Sequence, residues 1–423
     1  MEGEASELDE IAAMDLLIVK EPRSPAESRL QVIRLTTRSG ATGYGDYLDY
    51  GLPAKDAEET LTRLVNRYAE QDHKTDIFLT DPSTRAVGGG RTVLGQTAEQ
   101  ILNAQPVTEL RHPTALFPGE GFGPMWQGPG KSGLVIALQA ALLDLTEENG
   151  PCRVRLCPSI SIDREVDGKR RLSTPEEMRQ IVTSLRKAGF TAVRLELAGA
   201  LEDEMTARGE CAPYRYPQEV LSRIGNLMLA SKKAAGKEMG LVVAANMNLS
   251  TDGMTYLALH CERNKVTLLE NPMALRHLPE QGEARKEFNQ PLGFGGDYHA
   301  IEDFVQGIKH QIGTVLTPDA GHIGGLTMLA RTADLAKEAE LKAAPVVQGG
   351  PFSLLAVASS LSGRDEVLWV SSPYQDEWLK EDGVLKRPLQ MAQGSLVTEA
   401  CEIDKAKFQA KRIAELNTKT REK

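Results

Sequence analysis

The chain has 423 residues, of which 41% are hydrophobic and 26% charged, and its formal net charge is −10 at pH 7. This length predicts a large core or two cooperating domains, and the composition is that of a globular protein, neither disordered nor membrane-embedded. The negative charge repels a phosphate backbone, so a nucleic-acid partner is disfavoured and a small-molecule partner is expected.

The start of the chain and its cysteines indicate a cytoplasmic protein. Residues 1–10 are acidic where a signal peptide would be basic, and the apolar run from Met14 to Val19 is too short to span a bilayer. The five cysteines are scattered and include no C-x-x-C pair, as expected of reduced thiols. We therefore expect no membrane association.

The first 150 residues predict an α+β domain. RLQVIRLTT, from Arg29 to Thr37, is rich in β-branched residues, Ser39-Gly40 marks a turn, and ATGYGDY resumes the strand pattern, which indicates a hairpin. We predict a partly disordered or extended segment over residues 1–28 and an α+β domain over residues 29–150.

After Pro151 the pattern changes to short apolar strands that alternate with amphipathic helices, which is typical of a parallel βα array. Eight strands are predicted, and eight is the number of strands in a TIM barrel. They are Val154–Ile160, Phe190–Leu197, Leu241–Ala245, Val266–Glu270, Leu292–Gly296, Gly313–Leu316, Leu341–Val346 and Val367–Val370. Thr174, Pro175 and Glu177 predict a capping box at the first helix. We predict a (β/α) barrel over residues 151–380 and a C-terminal segment over residues 381–423 that returns to the N-terminal domain and ends in a helical tail.

Polar side chains follow several predicted strands, at the end where barrel enzymes place their reactive groups. They are Arg194, Glu196, Asn246, Glu270, Asp297 and Asp319. Glu270 and Asp297 are carboxylates on consecutive strands, and carboxylate oxygens are the ligands that Mg²⁺ prefers. Each acid alone is equally compatible with a helix N-cap or a solvated turn.

Several segments, in this order along the chain, resemble the enolase superfamily: GYGDY, LVVAANMN, LLENP, LGFGGDYHAIEDF and TPDAGHIGG. Ala244, Glu270 and Asp297 lie at nearly equal intervals, about one βα unit each. Within the superfamily, Thr317-Pro318-Asp319 and Gln348-Gly349-Gly350 resemble segments of methylaspartate ammonia-lyase.

The resemblance implies an enolase-like, TIM-like barrel with an N-terminal capping domain that closes over it. It also implies Mg²⁺ or Mn²⁺, held here by Asn246, Glu270 and Asp297, and removal of a proton alpha to the carboxylate of a small amino or carboxylic acid. The implied enzyme is a carbon–nitrogen or carbon–oxygen lyase that forms a homodimer or a higher homo-oligomer.

Three positions depart from the superfamily pattern. The third-strand ligand, usually Asp, is Ala244; the lysine base before TPD is Leu316; and the segment after the seventh strand, APVVQGG, has no histidine. The second-strand lysine that is the base in other members of the superfamily is replaced here by Arg194 or Glu196. Because arginine is a poor base, another group is needed for proton transfer.

We expect Arg194 to orient the substrate carboxylate and Glu196 or His299 to move the proton. Asp319 and Gln348 complete the predicted catalytic set, and His322 is a further candidate. Each has a structural alternative: Glu196 could pair with Arg194, His299 could start a surface helix, and His322 could cap one.

Two other functions stay open at this point. The changes at Ala244 and Leu316 are also compatible with a non-catalytic relative that binds a ligand or a partner. An epimerase or dehydratase that uses Asp319 and a histidine is the second alternative.

Overall fold

The structure is a computed structural model, and it describes residues 11–20, 29–37, 39–48, 129–145, 152–166, 169–197, 199–246, 248–373, 385–387, 389–397 and 412–419. Most of the predicted α+β domain, residues 51–128, therefore lies outside the described residues.

The N-terminal part is an antiparallel sheet with one helix against it. Three of the four strands of this sheet come from the start of the chain and the fourth from its end. The first three are β1 (Ile11–Lys20), β2 (Arg29–Thr37) and β3 (Thr42–Leu48), and the helix is α1 (Pro129–Leu145). The predicted hairpin is confirmed, since β2 and β3 pair antiparallel around Gly40, which has a φ of 92°. Gly45 is needed where β3 meets α1, because a Cβ there would collide with the carbonyl oxygen of Ala137.

The end of the chain completes this sheet as a strand. Residues Arg412–Lys419 pair antiparallel with β1, and the sheet order is this strand, β1, β2, β3. The expected helical tail is therefore wrong at these residues. The physical reason is that β1 would otherwise leave its backbone N–H and C=O groups unpaired along one edge.

Eight further strands pair side by side in a ring, and they are the eight that the alternation of strands and helices predicts. They are β4 (Val154–Ser161), β7 (Ala192–Glu196), β8 (Gly240–Ala244), β9 (Leu268–Glu270), β10 (Leu292–Phe294), β11 (Val315–Leu316), β12 (Lys342–Ala343) and β13 (Val370–Pro373). All neighbours are parallel, and β13 returns to pair with β4. Between β12 and β13 the contact is made by the bridges Ala343–Val367 and Val346–Ser371. This ring is the strand pattern of a TIM-like barrel.

The remaining elements connect the ring strands or extend from them, except β16 (Arg412–Lys419), which is the fourth strand of the N-terminal sheet. The helices are α2 (Pro175–Lys187), α3 (Ala200–Ala207), α4 (Gln218–Ala235), α5 (Thr251–Arg263), α6 (Leu278–Ala284), α7 (Ile301–Lys309), α8 (Leu326–Glu338) and α9 (Pro351–Ser360). Two short 3₁₀ turns, Leu275–His277 and Arg285–Glu287, flank α6. The other strands are β5 (Asp163–Val166), β6 (Lys169–Leu172), β14 (Met391–Ala392), β15 (Ser395–Leu396) and β16 (Arg412–Lys419). Among the described residues, every helix is too short or too polar to span a bilayer.

The capping box at α2 is confirmed. Thr174 accepts a hydrogen bond from the backbone N–H of Glu177, and the Glu177 carboxylate accepts one from the backbone N–H of Thr174 at 2.7 Å. Arg171 also donates to both oxygens of Glu177. This pairing fixes the start of α2 beside the end of β6.

Alternate positions of the ring strands face its interior. A small buried cluster at these positions contains Cys157, Ala192, Val242, Leu268, Val315, Ala344 and Trp369. Because side chains alternate between the two faces of a strand, Arg194, Glu196, Ala244 and Glu270 share this inward orientation. They lie further along their strands, so the polar groups stand above an apolar floor at the carboxyl end of the ring.

Candidate active site

The centre of the candidate site is a row of three residues on adjacent strands. Glu196, the last residue of β7, is in register with Ala244, the last of β8, and Ala244 is in register with Glu270, the last of β9. Registered residues of a parallel pair point to the same face of the sheet. The two glutamates therefore flank the methyl group of Ala244 inside the barrel.

Arg194 lies two residues before Glu196 and connects the two glutamates. Its Nε donates to Glu270 Oε2 at 2.5 Å, and its Nη1 donates to Glu196 Oε1 at 2.6 Å. Nη1 also lies 3.2 Å from Ser159 Oγ on β4. The arginine is only 4% exposed and Glu270 is fully buried, so this is an interior ion pair. The alternative that Glu196 pairs with Arg194 is confirmed.

Burial determines the electrostatics of this cluster. Desolvation of the charged form raises the pKa of Glu270, and the neighbouring Arg194 guanidinium offsets only part of that rise. For Arg194, burial opposes the charged form, but Glu270 and Glu196 together raise its pKa above the ordinary value. The same burial, with Glu270 nearby, raises the pKa of the Cys157 thiol, so Cys157 is an uncharged neighbour.

Two polar atoms of the cluster, Glu270 Oε1 and Arg194 Nη2, make no hydrogen bond to the described residues. Glu270 Oε1 is buried and has no hydrogen-bond partner among the described residues. The described residues likewise provide no hydrogen bond to Arg194 Nη2, although arginine carries five N–H donors. A ligand oxygen that reached Arg194 Nη2 would find an N–H donor in the plane of the guanidinium.

Asp297 and the two candidate histidines form a second group after β10. His322 Nδ1 donates to the carbonyl oxygen of Gly296 at 2.6 Å, and the His299 and His322 ring centres are 5.6 Å apart. Asp297 Oδ2 accepts the backbone N–H of Leu275 at 2.8 Å. Burial raises the pKa of Asp297, and the Leu275 N–H and the two histidines oppose that rise.

His299 lies just before helix α7, and only one of its ring nitrogens makes a hydrogen bond to the described residues. Its backbone N–H donates to Asp303 Oδ2, and its Nδ1 lies 3.4 Å from the carbonyl oxygen of His322. Since a carbonyl only accepts, Nδ1 carries the hydrogen in this contact, and Nε2 is the basic nitrogen of the neutral ring.

Asp319, which follows β11, is held by the N-terminal sheet. Its Oδ1 accepts a hydrogen bond from the Tyr47 hydroxyl at 2.6 Å and another from the backbone N–H of Gly321 at 2.8 Å. Gly321 is required here, because a Cβ at this position would collide with the Tyr47 ring. The predicted catalytic Asp319 thus has a structural contact that the sequence did not reveal.

The loop before α9 is held by the same hairpin. Asp46 Oδ1 accepts the backbone N–H groups of Gly350 and Ser353 at 2.8 and 3.0 Å, and Oδ2 accepts that of Phe352 at 3.2 Å. Asp46 therefore caps the first turn of α9 from a distant part of the chain. Gln348 is half-buried in this loop, close in sequence to the capped residues.

The sequence interpretation missed three polar residues that support the site. Ser159 contacts Arg194, and Tyr47 contacts Asp319. Asn271, directly after Glu270, accepts hydrogen bonds from the Gly296 backbone and the Thr317 hydroxyl, which ties together three strand ends. Ser159 and Asn271 could have been found by applying the strand-end rule to every strand. Tyr47 lies in the GYGDY segment that resembles the superfamily, but its contact with Asp319 has no sequence signal.

Comparison with known proteins places this geometry in a family. Residues 177–400, more than half of the chain, match the enolase C-terminal domain-like family. The chain belongs to the enolase superfamily. This enolase-superfamily protein matches none of the curated proteins at a significant level.

Solved structures share the fold at low sequence identity. The mandelate racemase/muconate lactonizing enzyme from Jannaschia sp. CCS1 superposes with a TM-score of 0.68 at 17% identity, over 96% of this chain and 98% of that chain. The 3,6-anhydro-D-galactonate cycloisomerase from Zobellia galactanivorans gives 0.65 at 14% identity, over 96% and 100%. A mandelate racemase/muconate lactonizing enzyme-like protein from Roseovarius sp. TM1035 gives 0.66 at 15%, over 95% of both chains.

Enolase-superfamily members typically use Mg²⁺, but the residues of this protein fit a divalent cation poorly. Glu270 is already paired with Arg194, position 244 has no carboxylate, and Asn246 directs its amide nitrogen towards the Leu197 carbonyl oxygen at 3.5 Å. In the part of the chain that the structure describes, no three His, Cys, Asp or Glu side chains are grouped to hold a metal.

Proposed function

We propose that this protein is a lyase or isomerase that removes the proton alpha to the carboxylate of a small amino or carboxylic acid. Membership of the enolase superfamily supports this reaction class. The observation that carries the proposal is the buried Arg194–Glu270 pair with Glu196 beside it, at the carboxyl end of the barrel strands.

Arg194 would bind the substrate carboxylate. Its Nε and Nη1 are fixed by Glu270, Glu196 and Ser159, so the guanidinium plane is preorganised and Nη2 is left as the donor for a ligand oxygen. As the alpha proton leaves, negative charge grows on the substrate carboxylate. A fixed positive group in a buried site stabilises that charge more than it stabilises the ground state.

Glu196 or His299 would accept the proton. The Glu196 side chain is 28% exposed, whereas that of Glu270 is fully buried, so Glu196 is the carboxylate that a ligand could reach. In an elimination, the base takes the alpha proton, and the electron pair forms the C=C bond as ammonia or water leaves the beta carbon. The group that is not the base would protonate the leaving group.

Elimination of the methylaspartate ammonia-lyase type is the form of this reaction that Thr317-Pro318-Asp319 and Gln348-Gly349-Gly350 favour. The N-terminal sheet would act as the capping domain, since Tyr47 and Asp46 contact the segments after β11 and before α9. A homodimer is part of the proposal, and light scattering of the purified protein measures it.

The experiment is incubation with a panel of small amino and hydroxy acids in D₂O. Mass spectrometry of the recovered acids and assays for ammonia and unsaturated products then separate the reactions. Release of ammonia or water with an unsaturated product supports a lyase, and deuterium at the alpha carbon of the recovered acid without such release supports an epimerase. The proposal fails if no acid loses or exchanges its alpha proton with the wild-type chain under any condition that keeps it folded.

A non-catalytic binding protein is the second candidate, and Leu316 favours it. This residue is fully buried where the ammonia-lyase pattern has a lysine base, and a leucine side chain cannot take a proton. Acids from the same panel would then raise the melting temperature without being converted. Turnover that is lost in Glu270→Gln would rule this candidate out.

A further inference from the structure

We infer that the Arg194 guanidinium is a built-in cation that takes the place of the divalent metal in this site. The site would then bind a small carboxylate with a positive group that belongs to the chain and cannot be removed by a chelator.

The geometry behind this inference is the row Glu196, Ala244, Glu270. The three residues are in register across β7, β8 and β9, and Ala244, between the glutamates, is fully buried. An aspartate at position 244 would place a third carboxylate in this row. Because alanine is small, it leaves room between the two glutamates. Arg194, on β7 in register with Val242 of β8, extends to both of them.

The charge of the cluster points the same way. Two carboxylates share one guanidinium, so the cluster has one uncompensated negative charge. The three carboxylates that an aspartate at 244 would create suit a divalent cation, whereas one residual charge beside a fixed guanidinium does not. A metal ion bound to the same carboxylates would be repelled by the Arg194 guanidinium, because the interior has a low dielectric constant.

The other predicted ligands each have one polar atom in another hydrogen bond. Asp297 Oδ2 accepts the backbone N–H of Leu275, and Asn246 Nδ2 faces the carbonyl oxygen of Leu197. Alanine at position 244 and arginine at position 194 therefore suit each other. Without Arg194, Glu270 would be an unpaired buried carboxylate, and an aspartate at 244 would add a further negative charge beside it.

The inference about the metal stands on these ion pairs and does not need turnover. Its consequence for substrate binding rests on the proposed function, because there Arg194 would bind the substrate carboxylate. Mn²⁺ binding that is lost in Glu270→Gln would overturn the inference about Arg194 only, and absence of alpha-proton exchange or loss in D₂O would overturn the proposed function only.

The test is addition of Mn²⁺ to the chelator-treated full chain. Electron paramagnetic resonance measures free Mn²⁺, and a thermal melt measures stabilisation with Mn²⁺ or Mg²⁺. We expect no loss of the free-ion signal and no change in melting temperature at millimolar metal. Binding that raises the melting temperature and disappears in Glu270→Gln would overturn the inference. Binding that survives Glu270→Gln lies elsewhere and leaves the inference standing.

A matched pair of variants tests this relationship between positions 194 and 244 directly. Ala244→Asp/Arg194→Met has the third carboxylate and lacks the internal cation, and it is expected to gain Mn²⁺ binding, with a melting temperature that rises when metal is added. Ala244→Asp alone keeps Arg194 and is expected to bind no Mn²⁺. Tighter binding by the single variant than by the double variant would contradict the inference. Should the double variant fold neither with nor without metal, the wild-type titration decides.

Discussion

Tyr47 donates its hydroxyl proton to Asp319 across 272 residues of sequence, and the two oxygens are 2.6 Å apart. Both residues are buried, so this hydrogen bond joins the N-terminal hairpin to the loop after β11 where water cannot replace it. This hydrogen bond gives Asp319 a part in positioning the loop. Because Tyr47 and Gly321 both donate to Oδ1, an acid or base role of Asp319 would fall to Oδ2.

Tyr47→Phe tests this connection. The variant keeps the ring and removes the donor, so we expect the free energy of unfolding to fall by about 1.5 to 3 kcal/mol, as for a lost hydrogen bond to a carboxylate. Urea denaturation measures the loss. Tyr214→Phe, which removes a hydroxyl from another buried tyrosine, is the control. An equal loss in both variants would show that the Asp319 contact adds nothing.

Arg194→Met tests the buried ion pair. Loss of the guanidinium leaves Glu270 as an unpaired buried carboxylate, so the free energy of unfolding should fall by about 3 to 5 kcal/mol at neutral pH. The control is Arg179→Met, which breaks the exposed pair with Glu176 and should cost less than about 1 kcal/mol. Equal losses would show that the interior pair is not specially stabilising.

Arg194→Met/Glu270→Gln provides a second check on the same pair. Removal of the unpaired charge should recover part of the stability that Arg194→Met loses, because a neutral amide costs less to bury than a carboxylate. A double variant less stable than Arg194→Met would indicate that Glu270 stabilises the barrel through some other contact.

Asp46→Ala tests the cap of α9. Three backbone N–H groups at the start of this helix lose their acceptor in a buried place, and we expect a loss of about 2 to 4 kcal/mol in the free energy of unfolding. Asp46→Asn keeps one acceptor oxygen and should lose less. If Asp46→Asn proved the less stable of the two, the capping role would be wrong.

The capping box at α2 gives a pH dependence. Arg171 and the Thr174 backbone lower the pKa of Glu177 to about 2 from an ordinary value of 4.5. A carboxyl whose pKa is depressed on folding stabilises the folded state above its unfolded pKa, and the effect disappears as the pH falls through the folded value. Between about pH 4.5 and 2, stability should therefore fall less steeply in Glu177→Gln than in the wild type. Glu176→Gln, which keeps the box, is the control, and three parallel curves would contradict the assignment.

Much of the fold could be predicted because its signals are local. Each barrel strand is an apolar run bounded by turns, and the box at Thr174 and Glu177 depends on residues three apart. The bounds of the last strand were predicted too early in the chain: the prediction is Val367–Val370, whereas β13 spans Val370–Pro373. The strand at Arg412–Lys419 could not be read, because its partner β1 is almost 400 residues away and only the pairing decides between helix and strand.

The site was predicted as a set of residues, and among the contacts of Arg194 only its pairing with Glu196 was anticipated. Arg194, Glu196 and Glu270 are all visible as polar strand ends, and the strand-end rule places them on one rim. Which of them pair depends on the register of β7, β8 and β9 and on the small size of Ala244. The carboxylates Glu270 and Asp297 therefore suggested a metal, whereas the structure pairs Glu270 with Arg194.

A crystal structure of the full chain grown with millimolar Mn²⁺, with anomalous differences recorded for manganese, would show which cation lies beside Glu270. We predict that the Arg194 guanidinium lies within hydrogen-bond distance of both Glu270 and Glu196, with no anomalous peak at the carboxyl end of the barrel. A manganese peak between Glu270 and Asp297, with Arg194 turned away from Glu270, would contradict the account.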